Sequence, residues 1–90
     1  MTTVRIPTSL RGLTGNQREL RFTGATVGEV LHQLGRAHPQ LGARVLDGQG
    51  AVRRYINVFL NDEDIRFLAE LATPVADTDC LTLVPAMAGG

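Results

Sequence analysis

The sequence predicts a small α+β domain in which one helix covers one face of a sheet. Two observations support this fold class. Short segments of alternating apolar and polar residues lie towards both ends of the chain, as is typical of half-buried strands. Between them lies a longer segment whose apolar residues recur at the spacing of an amphipathic helix. The predicted element order is β-β-α-β-β-β.

The first two predicted strands form a hairpin. The first covers residues 3–6, where Val4 and Ile6 share one face, and the second runs from Arg18 to Phe22. A cluster of glycine and polar residues at 12–16 provides the turn between them.

The predicted helix begins at Thr26, because Glu29 follows that hydroxyl at the spacing of a capping box. Residues His38 and Pro39 end the helix. A further short helical turn is expected at residues 41–46. The apolar stripe of the main helix consists of Val27, Val30, Leu31 and Leu34.

Three more strands are predicted after the helix: Tyr55 to Leu60, Ile65 to Leu68, and residues 80–84. The acidic segment 61–64 turns the chain between the first two of them. Pro85 has no N–H group to donate, so strand pairing should stop there. The expected core consists of Val4, Ile6, Val30, Leu31, Leu34, Ile56, Val58, Leu81 and Leu83.

Pro85 divides the chain into a predicted folded domain, residues 1–84, and a flexible C-terminal tail, residues 85–90. The tail ends in Gly89 and Gly90, and residues without a Cβ can lie extended in a narrow channel and leave a carbonyl open to attack. This pattern predicts that another enzyme reaches and modifies the Gly90 carboxylate, with Ala88 and Gly89 giving access. The alternative is an ordinary frayed terminus.

Composition argues against several classes of function. Nine basic and nine acidic residues give a formal net charge of zero, which is unusual for a protein dedicated to nucleic acids or anionic membranes. No apolar run approaches the roughly 20 residues of a membrane span, and the N-terminus lacks a signal-peptide pattern. A single cysteine excludes an internal disulfide. We therefore expect a soluble cytoplasmic protein with no nucleic-acid or membrane partner.

No catalytic or metal-binding pattern stands out. Histidines 32 and 38 lie roughly 240° apart around a helix, so they cannot share a ligand-bearing face. The acidic segment 61–64 lacks the glycine and the distal glutamate of a calcium loop. Cys80 has no basic neighbour in sequence that would activate its thiol. The sequence predicts a carrier or a substrate, not an enzyme, and no cofactor or metal bound by the chain itself.

Several motifs together resemble the ThiS/MoaD family of ubiquitin-fold sulfur carriers, and within it the members that serve cysteine biosynthesis. The resemblance covers essentially the whole chain, and it implies a β-grasp fold, in which the first and last strands lie parallel at the centre of a mixed sheet and the helix packs across it. The motifs are Ile6-Pro7-Thr8, Ile56-Asn57-Val58, Asn61-Asp62-Glu63-Asp64-Ile65-Arg66, Leu71-Ala72-Thr73 and the terminal Ala88-Gly89-Gly90.

The resemblance also implies a mechanism. An activating enzyme of the ubiquitin-activating type would use ATP and magnesium to adenylate Gly90, and a sulfur donor would then displace AMP to leave a thiocarboxylate. A downstream synthase would accept that sulfur for cysteine, thiamin, molybdopterin or a thiolated natural product. A metalloprotease is a candidate further partner. ATP and magnesium would belong to the activating enzyme.

The sheet face opposite the helix is the predicted docking surface for that enzyme, because apolar residues there have no evident role in folding. Its expected members are Phe59, Tyr55 and Val84, together with Met87 of the tail. Two alternatives stay open. The chain could be a protein modifier that forms an amide with target lysines, or an interaction module whose terminal glycines are incidental.

Overall fold

The computed structural model describes residues 1–85. Within them, five strands form one mixed sheet in the spatial order β2-β1-β5-β3-β4, with β1 parallel to β5 and the other pairs antiparallel. This is the predicted α+β class, with the first and last strands side by side as a β-grasp fold requires. The strands are β1 (Thr2–Arg5), β2 (Glu19–Phe22), β3 (Ile56–Leu60), β4 (Glu63–Asp64) and β5 (Cys80–Pro85). The helices are α1 (Val27–Ala37) and α2 (Pro39–Val45), and 3₁₀ segments cover Thr8–Thr14, Ile65–Phe67 and Glu70–Ala72.

Strand β5 lies at the centre of the sheet, between β1 and β3. Its Leu81 and Leu83 are buried on the side that the helices cover. The strand extends to Pro85, one residue beyond its predicted end, and Pro85 pairs with Ile56. The Ile56 N–H donates to the Arg53 carbonyl at 3.1 Å and not across to β5, so Ile56 and Pro85 form a non-hydrogen-bonded pair of the ladder. The sheet therefore tolerates proline here, because no N–H is needed from this position.

Helix α1 begins at the predicted cap. The Thr26 Oγ1 accepts a hydrogen bond from the Glu29 N–H at 3.2 Å, and the Glu29 Oε1 accepts one from the Ala25 N–H at 3.0 Å. These two bonds are reciprocal, as in a capping box, although the glutamate reaches one residue before the cap. All four residues of the predicted apolar stripe are buried.

Helix α2 is longer than the short turn expected at residues 41–46. Pro39 ends α1, but it also starts α2, because its fixed φ suits the first helical position and its missing N–H is not needed there. The Gly42 N–H donates to the His38 carbonyl at 2.9 Å. The helix buries Leu41 and Val45 against the core.

The predicted strand at residues 65–68 is wrong. Only Glu63 and Asp64 pair with β3, and the chain then turns into a 3₁₀ segment. The Asp64 carboxylate accepts a hydrogen bond from the Arg66 N–H at 2.9 Å, and such local bonds compete with a strand ladder. Ile65 is consequently buried, whereas the Phe67 side chain is 86% exposed.

All of the predicted core residues are buried in one continuous hydrophobic cluster. Sequence periodicity did not identify every member, because the remaining ones lie mostly on short elements. These additional buried residues are Leu10, Leu20, Leu41, Val45 and Ile65, whereas Val27 belongs to the helical stripe that periodicity did identify.

We expect Gly42→Ala to destabilise the protein and Gly35→Ala to leave it intact. A Cβ added to Gly42 would lie 2.6 Å from the Gly35 Cα, whereas a Cβ added to Gly35 would have its nearest neighbour at 3.7 Å. Overpacking of this kind costs about 1–3 kcal/mol, while alanine within a helix gains about 0.5–1 kcal/mol over glycine. Urea denaturation measures both free energies of unfolding. Equal stabilities of the two variants would contradict this helix–helix contact.

We expect Leu83→Ala to lower the free energy of unfolding by about 2–5 kcal/mol, because it removes a buried side chain from the central strand. Val84→Ala is the matched control, since Val84 lies next to Leu83 on the opposite face and is 38% exposed. Chemical denaturation compares the two. A loss below about 1 kcal/mol for Leu83→Ala would mean that this leucine contributes little to the core.

Candidate functional site

The candidate site lies at the end of β5, from which the chain continues into its C-terminal segment. Pro85 is the last residue of the central strand and pairs with the first residue of β3. The predicted reactive and access residues, Met87, Ala88, Gly89 and Gly90, lie outside the described residues. Their roles stay predictions.

Asn61 holds the other end of β5. It adopts a left-handed conformation with φ 56°, which asparagine tolerates better than most residues. Its backbone N–H donates to the Cys80 carbonyl at 2.8 Å, and its side-chain Oδ1 accepts a hydrogen bond from the Cys80 N–H at 3.1 Å. Its Nδ2 donates to the Asp79 carboxylate at 3.2 Å. One turn residue therefore fixes the start of β5 against β3, and with it the position at which β5 ends.

The predicted docking residues of the described chain lie on or beside the sheet face opposite the helices. Val84 pairs with Asn57 and Phe59 pairs with Thr82, so Phe59 and Val84 are diagonal neighbours, with Cα atoms roughly 7–8 Å apart in such a ladder. Val84 is 38% exposed, and Phe59 is half-buried. Tyr55 is 48% exposed and stands just before β3, not within the strand as predicted.

Arg66 contacts the first residue of β3 and the residue two positions before it, next to the end of β5. Its Nη2 lies 3.4 Å from the carbonyl oxygens of both Arg54 and Ile56. The guanidinium group therefore lies beside the residue that pairs with Pro85. Sequence reasoning missed this contact because it placed Arg66 in a strand. The Asp64 side chain, a common acceptor for a local N–H, is the signal that favours the observed turn.

Asp47 organises the loop between α2 and β3. Its Oδ1 accepts hydrogen bonds from the N–H groups of Gln49 and Ala51 at 2.8 and 3.1 Å. The bonds from Ala51 and Gln49 lower the pKa of the Asp47 carboxyl. The ionised Asp47 therefore stabilises the fold at any pH above the pKa that its carboxyl has in the unfolded chain. This stabilisation is lost as the pH falls through the lower pKa of the folded protein. This is a loop-forming role.

The described residues show no second chemical centre. Cys80 is half-buried, with its Sγ 3.8 Å from the Leu81 carbonyl oxygen. Residues 1–85 contain no group of three or more histidine, cysteine, aspartate or glutamate side chains that could hold a metal ion. No helix in this range is long and apolar enough to cross a membrane.

Comparison with known proteins agrees with this arrangement. A model of the ThiS family matches residues 4–90. The chain is 42% identical over 90 residues to the sulfur carrier protein CysO of Mycobacterium tuberculosis, and the match covers 98% of this chain and 97% of that protein. It is 41% identical over 66 residues to small archaeal modifier protein 1 of Haloferax volcanii, which covers 73% of this chain and 71% of that protein.

Solved structures have the same fold. A chain of the crystal structure of the Amycolatopsis orientalis BexX/CysO complex superposes with a TM-score of 0.91 at 42% identity, with full coverage of both chains. The crystal structure of small archaeal modifier protein 1 from Haloferax volcanii gives a TM-score of 0.82 at 34% identity, covering 99% of this chain and 98% of that one. The predicted β-grasp fold and the family resemblance are therefore confirmed.

Proposed function

The chain belongs to the ThiS family and is a sulfur carrier of the CysO type, and from this premise we propose that it carries sulfur as a thiocarboxylate on Gly90. Carriers of this kind are small proteins rather than enzymes. The observation that carries the proposal is the end of the central strand at Pro85, five residues before Gly90. Five extended residues reach at most roughly 17 Å, enough to enter a partner's active site while the domain stays outside.

The proposed chemistry proceeds in two steps on a partner enzyme. The Gly90 carboxylate attacks the α-phosphorus of ATP, which releases pyrophosphate and forms an acyl adenylate. A sulfide-level donor then attacks the glycyl carbonyl carbon, and AMP leaves as the C–S bond forms. Activation is needed because a carboxylate is a poor electrophile without a leaving group. ATP and magnesium belong to the partner, and the chain contributes an end that carries no Cβ at its last two residues.

We propose that the activating enzyme contacts the sheet face that carries Phe59 and Val84, with Tyr55 beside it and Met87 in the adjoining tail. The support comes from exposure: apolar side chains remain accessible on the face that the helices do not cover, next to the strand that leads to Gly90. A downstream synthase then accepts the sulfur, and a metalloprotease is a candidate third partner. Cysteine, thiamin, molybdopterin or a thiolated natural product are the candidate products.

A protein modifier is the second candidate function, favoured by the 41% identity to small archaeal modifier protein 1. Gly90 would then form an amide with target lysines after the same adenylation step. The chain contains no lysine, so it cannot build side-chain-linked polymers of itself. Intact mass spectrometry separates the two uses: exchange of a carboxylate oxygen for sulfur changes the mass only by the difference between the atoms, whereas conjugation produces protein-sized adducts.

Gly90→Val, and equally the addition of one residue after Gly90, should abolish thiocarboxylate formation. An added residue displaces the carboxylate by about 3.5 Å, and a branched side chain crowds the carbonyl. Incubation with the activating enzyme, ATP and sulfide, followed by intact mass, tests both variants. Gly48→Val is the control, because a Cβ there meets nothing within 4 Å. If a protein lacking Gly90 still gains sulfur, for instance on Cys80, the C-terminal mechanism is wrong.

Phe59→Ala should weaken binding to the activating enzyme while changing the free energy of unfolding by less than about 1 kcal/mol, because Phe59 lies on the helix-free face. Phe67→Ala is the matched control, since Phe67 is 86% exposed and lies on the 3₁₀ segment after β4, outside strands β3 and β5. Surface plasmon resonance measures binding and thermal unfolding measures stability. A large loss of stability would mean that Phe59 belongs to the core. Equal losses of binding in both variants would contradict the proposed docking surface.

A further inference from the structure

The charges of this neutral chain are not evenly distributed over its surface. Its nine basic and nine acidic residues sum to zero, but the fold gathers arginines around the end of β5. We call five of them the tail-root arginines. They are Arg5, Arg11 and Arg18 on the β1 side, and Arg54 and Arg66 on the β3 side.

The β1 side contributes an open groove lined by three arginines and one carboxylate. The Arg11 Nε donates to the Ile6 carbonyl at 3.1 Å, and the Ile6 N–H donates to the Arg18 carbonyl at 2.7 Å, so both arginines are held at the end of β1. Arg5 lies 3.4 Å from Glu19 in an exposed ion pair. Because β1 runs parallel to β5 and Arg5 pairs with Thr82, this groove lies beside the last half of β5.

The β3 side contributes two more arginines. Arg66 holds the carbonyls of Arg54 and Ile56, and Ile56 is the residue that pairs with Pro85. Arg54 itself is exposed. The end of β5 therefore has arginines on both flanks.

Four of the nine acidic residues lie at the opposite end of the sheet. Asp62 and Glu63 follow β3, and Asp77 and Asp79 precede β5. Since the six residues of β5 span five steps of about 3.3 Å, the two ends are separated by roughly 17 Å. The molecule is thus basic where the tail departs and acidic where β5 begins.

We propose that the tail-root arginines dock on an acidic protein surface that surrounds the tail-binding channel of the adenylating enzyme. This inference rests on the proposed function, because only insertion of the tail brings that end of the domain against a partner. Guanidinium groups suit carboxylate partners, and a basic end opposed to an acidic one orients the approaching carrier with its tail first. Nucleic acid is a poorer occupant, since aromatic residues make up only 4% of the chain and few bases could stack.

Charge reversal tests the proposal with matched variants. Arg18→Glu and Arg54→Glu are the test changes, because neither side chain makes a hydrogen bond or ion pair within residues 1–85. Arg21→Glu is the control, because it changes the net charge by the same amount at a residue that is also exposed. Arg21 pairs with Thr3 near the opposite end of the sheet. Thermal unfolding verifies the fold of each variant, and Arg18→Gln and Arg54→Gln replace any variant that fails to fold.

The readout is ATP–pyrophosphate exchange by the adenylating enzyme of the source organism, measured against carrier concentration. At about 0.01 M ionic strength, we expect Arg18→Glu and Arg54→Glu to raise the KM for the carrier roughly tenfold with kcat unchanged, because a rim charge acts mainly on association. Arg21→Glu should stay within about twofold. At about 1 M ionic strength, where the Debye length falls to about 3 Å, the three variants should converge.

Several results would overturn the inference. Equal KM values for Arg18→Glu, Arg54→Glu and Arg21→Glu at low ionic strength would show that the arginines do not contact the enzyme. Binding of a single-stranded oligonucleotide by the wild type and not by the two test variants, with exchange unaffected, would assign the surface to nucleic acid. Absence of exchange with the wild type would contradict the proposed function itself, and the inference with it.

Discussion

The pairing of β5 between β1 and β3 is the interaction on which the rest of the structure depends. Side chains alternate along a strand, so the same six residues supply Leu81 and Leu83 to the core and Val84 to the opposite face. A slip of one residue would exchange those faces and shift the origin of the tail. Asn61 resists such a slip, because both its backbone and its side chain bond to Cys80 at the first residue of the strand. Core packing and presentation of the chain's end are thus set by one register.

The sequence predicts best those elements whose periodicity and boundaries agree. Helix α1 has a capping pair at Thr26 and Glu29 and a buried stripe at helical spacing, and both indications point to the same residues. Strand alternation placed Phe59 and Val84 on the face opposite the core, and the register of β3 and β5 makes them diagonal neighbours. The direction of a side chain on a regular element follows from backbone geometry alone, which explains why this part of the candidate site could be predicted.

The errors occur where side-chain-to-backbone bonds decide the local structure. Residues 65–68 alternate like a strand, but the Asp64 carboxylate captures the Arg66 N–H and turns the chain. The acidic segment 61–64 is predicted only to turn the chain, whereas Asn61 at its start also anchors β5. The sequence predicts that Pro39 ends α1, and the structure shows that it also begins α2. Such choices depend on which acceptor lies within reach of which N–H, and a linear pattern does not contain that information.

The distribution of charge over the surface is a further property that the linear sequence does not contain. A formal charge of zero argues against a strongly anionic partner for the chain as a whole. The arginines at the end of β5 come from residues 5 to 66, and only the sheet order brings them together. At physiological ionic strength the Debye length is about 8 Å, whereas the basic and acidic ends of β5 are roughly 17 Å apart. Salt therefore screens the two ends from one another. A partner that approaches one end experiences the charge of that end, and the opposite charges at the other end do not cancel it, although the net charge of the chain is zero.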